Sequence, residues 1–435
     1  MNPKITVILP SLNVIKYIDR CIKSVCSQTF QDIEILCIDA GSVDGTVEYL
    51  EKCKEIDKRI KIIHSSKKSY GYQLNLGLRQ ARGEYIGIVE TDDFICPDMF
   101  QILYEKAAKY EVDFIKADYL GVYNDNEYEK TRYYSILLNE KLYNIPLKCE
   151  YNKEVFLHNL TATWSGIYRK DFLIKNGIYH NETLGASFQD TGFWFQTYME
   201  AEKALFIPLP LYRYRIDNPN SSTFDSTKIF CICDEFYFVL QEMEKRNKFE
   251  RFKDVFCWIF FRKYYRNLER IEQQDIKIFL IKFALDFVNL IKKGIFDDSL
   301  FSYEERKTLH DICSLKDMYF DKILSERKIF VQELLLYEKI IIYGAGKVGK
   351  KIYKEYKKVA DNNKIEVAVS QKDNNLFFED DIEIKEISEL TKYKEKAIVV
   401  LAVLDASVSC KMEATASELG FENICMLPFG LWNFL

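Results

Sequence analysis

Short apolar runs alternate with helix-period segments over the first hundred residues. Ile5–Leu9, Ile33–Ile38, Ile60–His64 and Tyr85–Val89 read as strands, with helices at Tyr17–Ser27, Thr46–Lys54 and Gln73–Ala81 between them. Strand–helix alternation at this spacing predicts a parallel, doubly wound sheet, in which ligands bind beyond the carboxyl ends of the strands. Those ends are Pro10–Asn13, Asp39–Thr46 and Glu90–Asp93, and all three carry polar or charged residues. Residues 110–220 are mixed, and 225–335 read as helical, with few Gly or Pro. From Lys339 the strand–helix rhythm resumes, with strands at Lys339–Ile342, Ile365–Val369 and Ala397–Val403. The expected domains are 1–224, 225–335 and 336–435.

Composition narrows the partners. The 61 basic and 66 acidic residues leave a net charge of −5, so the chain as a whole makes no electrostatic case for nucleic acid. Twelve Cys lack CxxC pairs and His-flanked zinc spacing, which predicts buried free thiols in a reducing cytosol. Met1–Lys4 leads straight into an apolar strand, and no apolar run approaches the ~18 residues of a membrane span. A cytoplasmic protein is expected, soluble or peripheral at a membrane.

Two segments carry candidate chemistry. In Cys37–Thr46, Gly41 and Gly45 flank acidic and hydroxyl residues directly after a strand. The glycines let the chain turn tightly toward a ligand, and a carboxylate there can accept a hydrogen bond from a base N–H or a ribose hydroxyl. An Asx-type turn accounts for the same residues. In Gly87–Asp93, three carboxylates end a strand buried on both faces, where unpaired charge is costly. A divalent cation resolves that cost, Mg²⁺ usually through one or two carboxylates plus substrate phosphates. A solvated helix start before Pro97 and Asp98 is the plainer reading.

In order, Pro10-Ser11-Leu12-Asn13, Asp39-Ala40-Gly41-Ser42-Val43-Asp44-Gly45-Thr46 and Gly83-Glu84-Tyr85-Ile86 leading to Glu90-Thr91-Asp92-Asp93 resemble the family 2 glycosyltransferases over about residues 4–220. The resemblance implies a GT-A fold and a nucleotide-diphosphate sugar donor, usually a UDP-sugar. It implies that Asp39 contacts the base, that Pro10, Leu12 and Asn13 wall the same pocket beside Gly41, and that Asp44 lies by the ribose. Glu90, Asp92 and Asp93 fall on the acidic cluster holding Mn²⁺ or Mg²⁺, with Asp92 also at the donor. Ala40 and Glu90 each replace an Asp that the family commonly carries, so the division of contacts among the three acids is open.

Downstream, Gly185–Trp194 resembles the family's catalytic motif, with Gln189-Asp190 in place of Glu-Asp. Inverting transfer needs one base on the acceptor side, and the resemblance gives that role to Asp190. Gln189 cannot take a proton and is expected to orient the acceptor or Asp190. Trp164 is expected either to stack on an acceptor sugar or to fill the core. Tyr212–Ser222 resembles the segment that closes over the diphosphate, where Arg213 or Arg215 can fork onto phosphate oxygens. No His stands there to serve as a metal ligand.

The cation-rich segment 245–270 is interleaved with Phe256, Trp258, Phe260, Phe261, Tyr264 and Tyr265. It reads either as a packed helix with a solvated face or as a contact with anionic lipid. Gly344-Ala345-Gly346-Lys347-Val348-Gly349 places GxGxxG between a strand and a helix. The next strand ends Val369-Ser370-Gln371-Lys372, without the acid that would hold an NAD ribose. The segment resembles the Rossmann-like appendage of some bacterial sugar transferases.

The expectation is therefore an α/β chain: a GT-A domain, a helical middle and a Rossmann-like C-terminal domain. It would be an inverting, metal-dependent glycosyltransferase using a nucleotide sugar and a glycan or lipid-linked acceptor in bacterial surface glycan synthesis. Homo-oligomers and a peripheral contact at the inner face of the cytoplasmic membrane are compatible with it. The rival readings are a non-catalytic sugar-nucleotide-binding assembly protein and a nucleotide-binding oxidoreductase centred on Gly344–Gly349.

Overall fold

A computed structural model describes residues 2–125, 128–158, 160–219, 221, 225–359, 364–371, 382–403 and 406–427. The chain divides into two compact units: Met1–Tyr264 with Ile295–Leu300, and Tyr265–Gly294 with Phe301–Leu435.

The first unit begins as its apolar rhythm predicts: β1 (Ile5–Ser11), α1 (Ile18–Cys26), β2 (Ile33–Asp39), α2 (Thr46–Ile56), β3 (Ile60–His64), α3 (Tyr70–Gln80) and β4 (Tyr85–Ile88). Every residue of β1 and β2 is buried, as a strand covered on both faces requires. Helix α3 comes so close to β1 that a Cβ on Gly77 would lie 2.6 Å from Ile8 Cγ2. The order β3-β2-β1-β4 is parallel throughout, and Ser11 pairs with Asp39, which pairs in turn with His64. The carboxyl ends of β1 and β2 therefore finish level on one edge.

Beyond β4 the sheet becomes mixed. It adds β5 (Phe94–Ile95), α4 (Met99–Tyr110), β6 (Phe114–Asp125), β7 (Tyr128–Tyr134), β8 (Gly166–Arg169), α5 (Lys170–Lys175), α6 (Gln189–Glu200) and β9 (Ala204–Arg215). Strand β8 is antiparallel to both β4 and β6, β6 is parallel to β9, and β9 is antiparallel to β5. These pairings make a nine-stranded sheet among the described residues. Gly166 is what lets β8 approach β6, since a Cβ there would lie 2.0 Å from the Ile115 carbonyl oxygen.

Helix α7 (Cys231–Lys245) follows, then α8 (Phe249–Asn267), in which Phe252, Phe256, Phe260 and Tyr264 have no exposed surface. Three cations of segment 245–270 have partners within this unit. Arg246 donates to the carbonyls of Asn176 and Gly177, Arg251 pairs with Glu150, and Lys253 with Glu250. The aromatic face of α8 is packed, as the first of the two readings expects. Among the described residues no helix is long and apolar enough to cross a membrane.

The second unit opens with α9 (Gln273–Lys292), α10 (Tyr303–Leu315) and α11 (Met318–Leu334). A parallel sheet follows: β10 (Lys339–Tyr343), α12 (Lys347–Lys357), β11 (Ile365–Val369), β12 (Ile384–Glu386), β13 (Ala397–Leu401), α13 (Ala406–Glu418) and β14 (Asn423–Met426). Its order, β12-β11-β10-β13-β14, centres on β10, whose Ile341 and Tyr343 pack with Val399, Leu401 and Phe421. The glycine loop joins β10 to α12, and a Cβ on Gly349 would lie 1.9 Å from the Gly344 carbonyl oxygen. Beyond β11, Lys372 lies outside the described residues, while Ser370 Oγ is 2.6 Å from Tyr343 Oη.

Candidate active site

The loops after β1 and β2 are zipped together by side chains from both. Asn13, in the left-handed region (φ 55°), accepts the Val43 N–H at its Oδ1 (2.9 Å), while Ser42 Oγ accepts the Asn13 N–H (2.9 Å). Asp44 Oδ2 accepts the Ile15 N–H (3.0 Å), and Thr46 Oγ1 accepts the Val14 N–H (3.0 Å). Burial would raise the Asp44 carboxyl, but bonds from Thr46 and Ile15 hold it below its usual range. Asp39, at 1% exposure, turns back on its own loop. It accepts from the N–H groups of Gly41 (2.8 Å) and Ser42 (3.1 Å) and from Ser42 Oγ (2.5 Å). Gly41 (φ 88°) makes that Asx turn possible. Leu12 stands partly exposed at the rim, and the Pro10 carbonyl accepts from Thr91 Oγ1 at 2.7 Å.

That last bond ties β1 to the acidic turn, which the Asp93 N–H closes on the Glu90 carbonyl (3.0 Å). Thr91 and Asp93 are buried, while Glu90 and Asp92 are only partly so. Asp93 is 1% exposed and accepts from Tyr212 Oη (2.9 Å) and the Arg215 N–H (2.7 Å), so the structure turns it in toward β9. Its burial, and then the neighbouring Asp92, push its carboxyl well above the usual value. Glu90 accepts from Tyr70 Oη at 2.5 Å. Burial is the main reason its carboxyl is pushed up to about 8; Asp92 and Asp190 add to that and the Tyr70 bond opposes it. Asp92 Oδ2 accepts from Asn218 Nδ2 (2.7 Å), and the Asp92 carbonyl from Arg215 Nε (3.0 Å). Arg215 thus sits on the acidic turn, whereas Arg213 donates to its own strand at Pro210 and Tyr212. Asn220 and Ser222 of the same segment lie outside the described residues.

Asp190 arrives from the other half of the sheet, in the first turn of α6. Phe188, a non-glycine residue at φ 65°, redirects the chain into that helix. Asp190 Oδ2 accepts from Thr161 Oγ1 at 2.6 Å, and its Oδ1 meets no hydrogen-bond donor among the described residues. Its charge bears on both Glu90 and Tyr70, and the Tyr70 N–H donates to the Gly185 carbonyl (2.9 Å), which ties the loop before α6 to the tyrosine that holds Glu90. Gln189 is 2% exposed. Its Oε1 accepts the Ser187 N–H (2.5 Å) and its Nε2 donates to Thr183 Oγ1 (3.0 Å), which knits the loop before α6. Trp164, at 9% exposure, stacks on Tyr212 (4.2 Å) and Tyr214 (5.1 Å).

Residues 6–172 match the family model described as Glycosyl transferase family 2. The chain is 30% identical over 232 residues to an uncharacterized glycosyltransferase of Haemophilus influenzae, across 51% of this chain and 68% of that protein. The chain belongs to glycosyl transferase family 2. It is also 30% identical over 224 residues to the uncharacterized glycosyltransferase EpsJ of Bacillus subtilis, covering 51% of this chain and 64% of that relative's length. The structure of S. aureus TarS 1-349 in complex with UDP-GlcNAc superimposes with a TM-score of 0.57 at 17% identity, over 73% of this chain and 89% of that one. That likeness shows a shared GT-A fold.

For a family 2 chain that carries a divalent ion, the donor set must fit one. Among the described residues no group of three His, Cys, Asp or Glu is placed to hold a metal. Glu90 and Asp92 offer one carboxylate side each, and Asp93 is turned inward. Two carboxylates completed by substrate phosphates suit Mg²⁺ or Mn²⁺, so these residues fit the group. Sequence reasoning missed Tyr70, Thr161, Ser42, Tyr212 and Asn218. Nothing local to Tyr70 or Thr161 points to a carboxylate 20 or 29 residues away.

Proposed function

We propose that this chain is a metal-dependent inverting glycosyltransferase. It moves a sugar from a nucleotide-diphosphate donor, a UDP-sugar, to a hydroxyl of a glycan or lipid-linked acceptor in bacterial surface polysaccharide or oligosaccharide synthesis. The observation that carries this reading is Asp190, with Oδ1 open, within electrostatic reach of Glu90 in the acidic turn. The family membership and the UDP-GlcNAc complex of TarS support the choice of donor.

The zipped loops hold the nucleoside beside Asp39 and Asp44, in a shape set before the donor arrives. Glu90 and Asp92 would hold a divalent ion together with the donor's phosphates, and Arg215 sits at the same turn. A divalent ion, when bound, offsets the charge that grows on the leaving diphosphate. Thr161 keeps Oδ2 of Asp190 occupied, so Oδ1 receives the proton of the attacking acceptor hydroxyl.

The test is UDP release from UDP-glucose, UDP-galactose and UDP-GlcNAc with Mn²⁺. Asp190→Asn should lower turnover roughly 10²- to 10⁴-fold, the contribution of a positioned base. The thermal stabilisation by donor and Mn²⁺ should persist. Unchanged turnover in Asp190→Asn refutes the assignment of the base. Release that ignores chelation refutes the metal.

A further inference from the structure

Lys116, on β6, is 1% exposed, and a lysine so placed needs an explanation. Its Nζ donates to the Ala162 carbonyl and, at 3.1 Å, to Tyr168 Oη, which donates to the Thr163 carbonyl at 2.7 Å. The Ala162 carbonyl also accepts the Ser165 N–H and Ser165 Oγ, each at 3.0 Å. Two consecutive carbonyls are thereby pinned to the floor of the sheet. The residue just before them, Thr161, carries the hydroxyl that holds Asp190 Oδ2 at 2.6 Å. Lys116 and Asp190 also lie within electrostatic reach of each other. Burying an amine is a costly way to tether a carbonyl, so the tether is expected to serve more than the fold of the strand.

We propose that Lys116 is a positioning residue for Asp190: by fixing Ala162 it fixes Thr161, which decides which carboxylate oxygen faces the acceptor. The proposal rests on the reading of Asp190 as base. It adds a path from the sheet interior to that base which the family assignment does not contain. Burial pushes the Lys116 amine well below its usual value, while the Asp190 charge favours its ammonium form. The amine donates to its two oxygen partners in either form.

The experiment measures UDP release with Mn²⁺ from whichever of UDP-glucose, UDP-galactose and UDP-GlcNAc the wild type turns over best. It compares Thr161→Val, Thr161→Ser, Lys116→Met and the Thr161→Val/Lys116→Met double variant, with Asp190→Asn as reference. Thr161→Val and Lys116→Met should each lower kcat roughly 10- to 100-fold, as a small misplacement of a reacting group does, with donor KM unchanged. Thr161→Ser should keep wild-type kcat. The double variant should fall no lower than the worse single, because both changes act on one hydrogen bond. Wild-type kcat in Thr161→Val, with Asp190→Asn inactive, overturns this proposal and leaves the base standing. An active Asp190→Asn overturns both. Losses that multiply in the double variant overturn the path from Lys116 through Thr161. Should Lys116→Met fail to fold, Tyr168→Phe loosens the Thr163 carbonyl with little change in packing. Wild-type kcat in that variant overturns the proposal, and a lowered kcat at constant donor KM upholds it.

Discussion

Replacing Glu34 by Gln should weaken the first unit while leaving the candidate active site intact. Glu34 stands near the amino end of β2, at the opposite end of the strand from Asp39, and is 2% exposed. Its carboxylate gathers Thr6 Oγ1 (2.8 Å), Lys61 Nζ (2.7 Å), the Arg82 N–H (3.0 Å) and Arg82 Nε (2.8 Å). It thereby links β1, β2, β3 and the turn before β4. Burial by itself would raise the carboxyl, yet the bonds from Lys61 and Arg82 bring it down to about 2 from an ordinary 4.5. At about 1.4 kcal/mol for each tenfold change, those partners are worth at most about 3 kcal/mol. The Lys61 and Arg82 side chains are 46% and 55% exposed, so solvent screening reduces this to roughly 2 kcal/mol. The folded value lies below the unfolded one. The contribution is therefore fully present above pH 4.5 and is lost as the pH falls through 2. The assay is urea unfolding followed by tryptophan fluorescence, which reports this unit because Trp164, Trp194 and Trp258 lie in it. Glu34→Gln should unfold at lower urea at pH 7, and the gap from wild type should narrow as the pH approaches 2. Equal midpoints at pH 7, or a gap that does not depend on pH, refute the reasoning. UDP release should match wild type at a temperature where both proteins are folded.

Two further substitutions probe other links. Asn13→Ala removes the acceptor for the Val43 N–H and puts Ala at a left-handed position, so donor KM should rise about tenfold, ~1.4 kcal/mol, at constant kcat. A matching fall in kcat would show that the loop does more than bind. Gly166→Ala would drive a Cβ to 2.0 Å from the Ile115 carbonyl oxygen and should abolish soluble expression or sharply lower Tm. Gly177→Ala, at φ +56° with open space around it, should cost only ~1 kcal/mol of backbone strain. Similar melting of the two variants would refute the packing argument.

The amino-terminal half of the first sheet was legible because β1, β2 and β4 are short, mostly apolar runs ending in polar turns, a pattern set by local burial. The expected strand at Ile365–Val369 is observed at those residues, and the Tyr17–Ser27 helix lost one residue at each end. Strands β6 to β9 could not be paired in advance. Their partners lie far apart, as Phe114 lies opposite Ala204, and loop closure over such distances leaves no local pattern. The acids at 39, 44, 90, 92 and 190 were visible as residue types. Their surroundings were not: Tyr70 beside Glu90, Tyr212 beside Asp93 and Thr161 beside Asp190 are tertiary facts. Trp164 had two readings, and the Tyr212 and Tyr214 rings around it come from a strand nearly fifty residues on.

The paired loops after β1 and β2 also limit how the proposed nucleoside pocket can change. Asn13 reaches Val43, Ser42 reaches Asn13, and Asp44 reaches Ile15, so neither loop holds its shape without the other. A change in one loop is transmitted to its neighbour, and the two behave as one heritable unit. Recruiting a different nucleotide would therefore require coordinated replacement of residues about thirty positions apart. Grafting 12–15 together with 41–46 from a relative should succeed where either segment alone fails. Val43, 89% exposed at the tip, is the position in that pair most open to single substitutions.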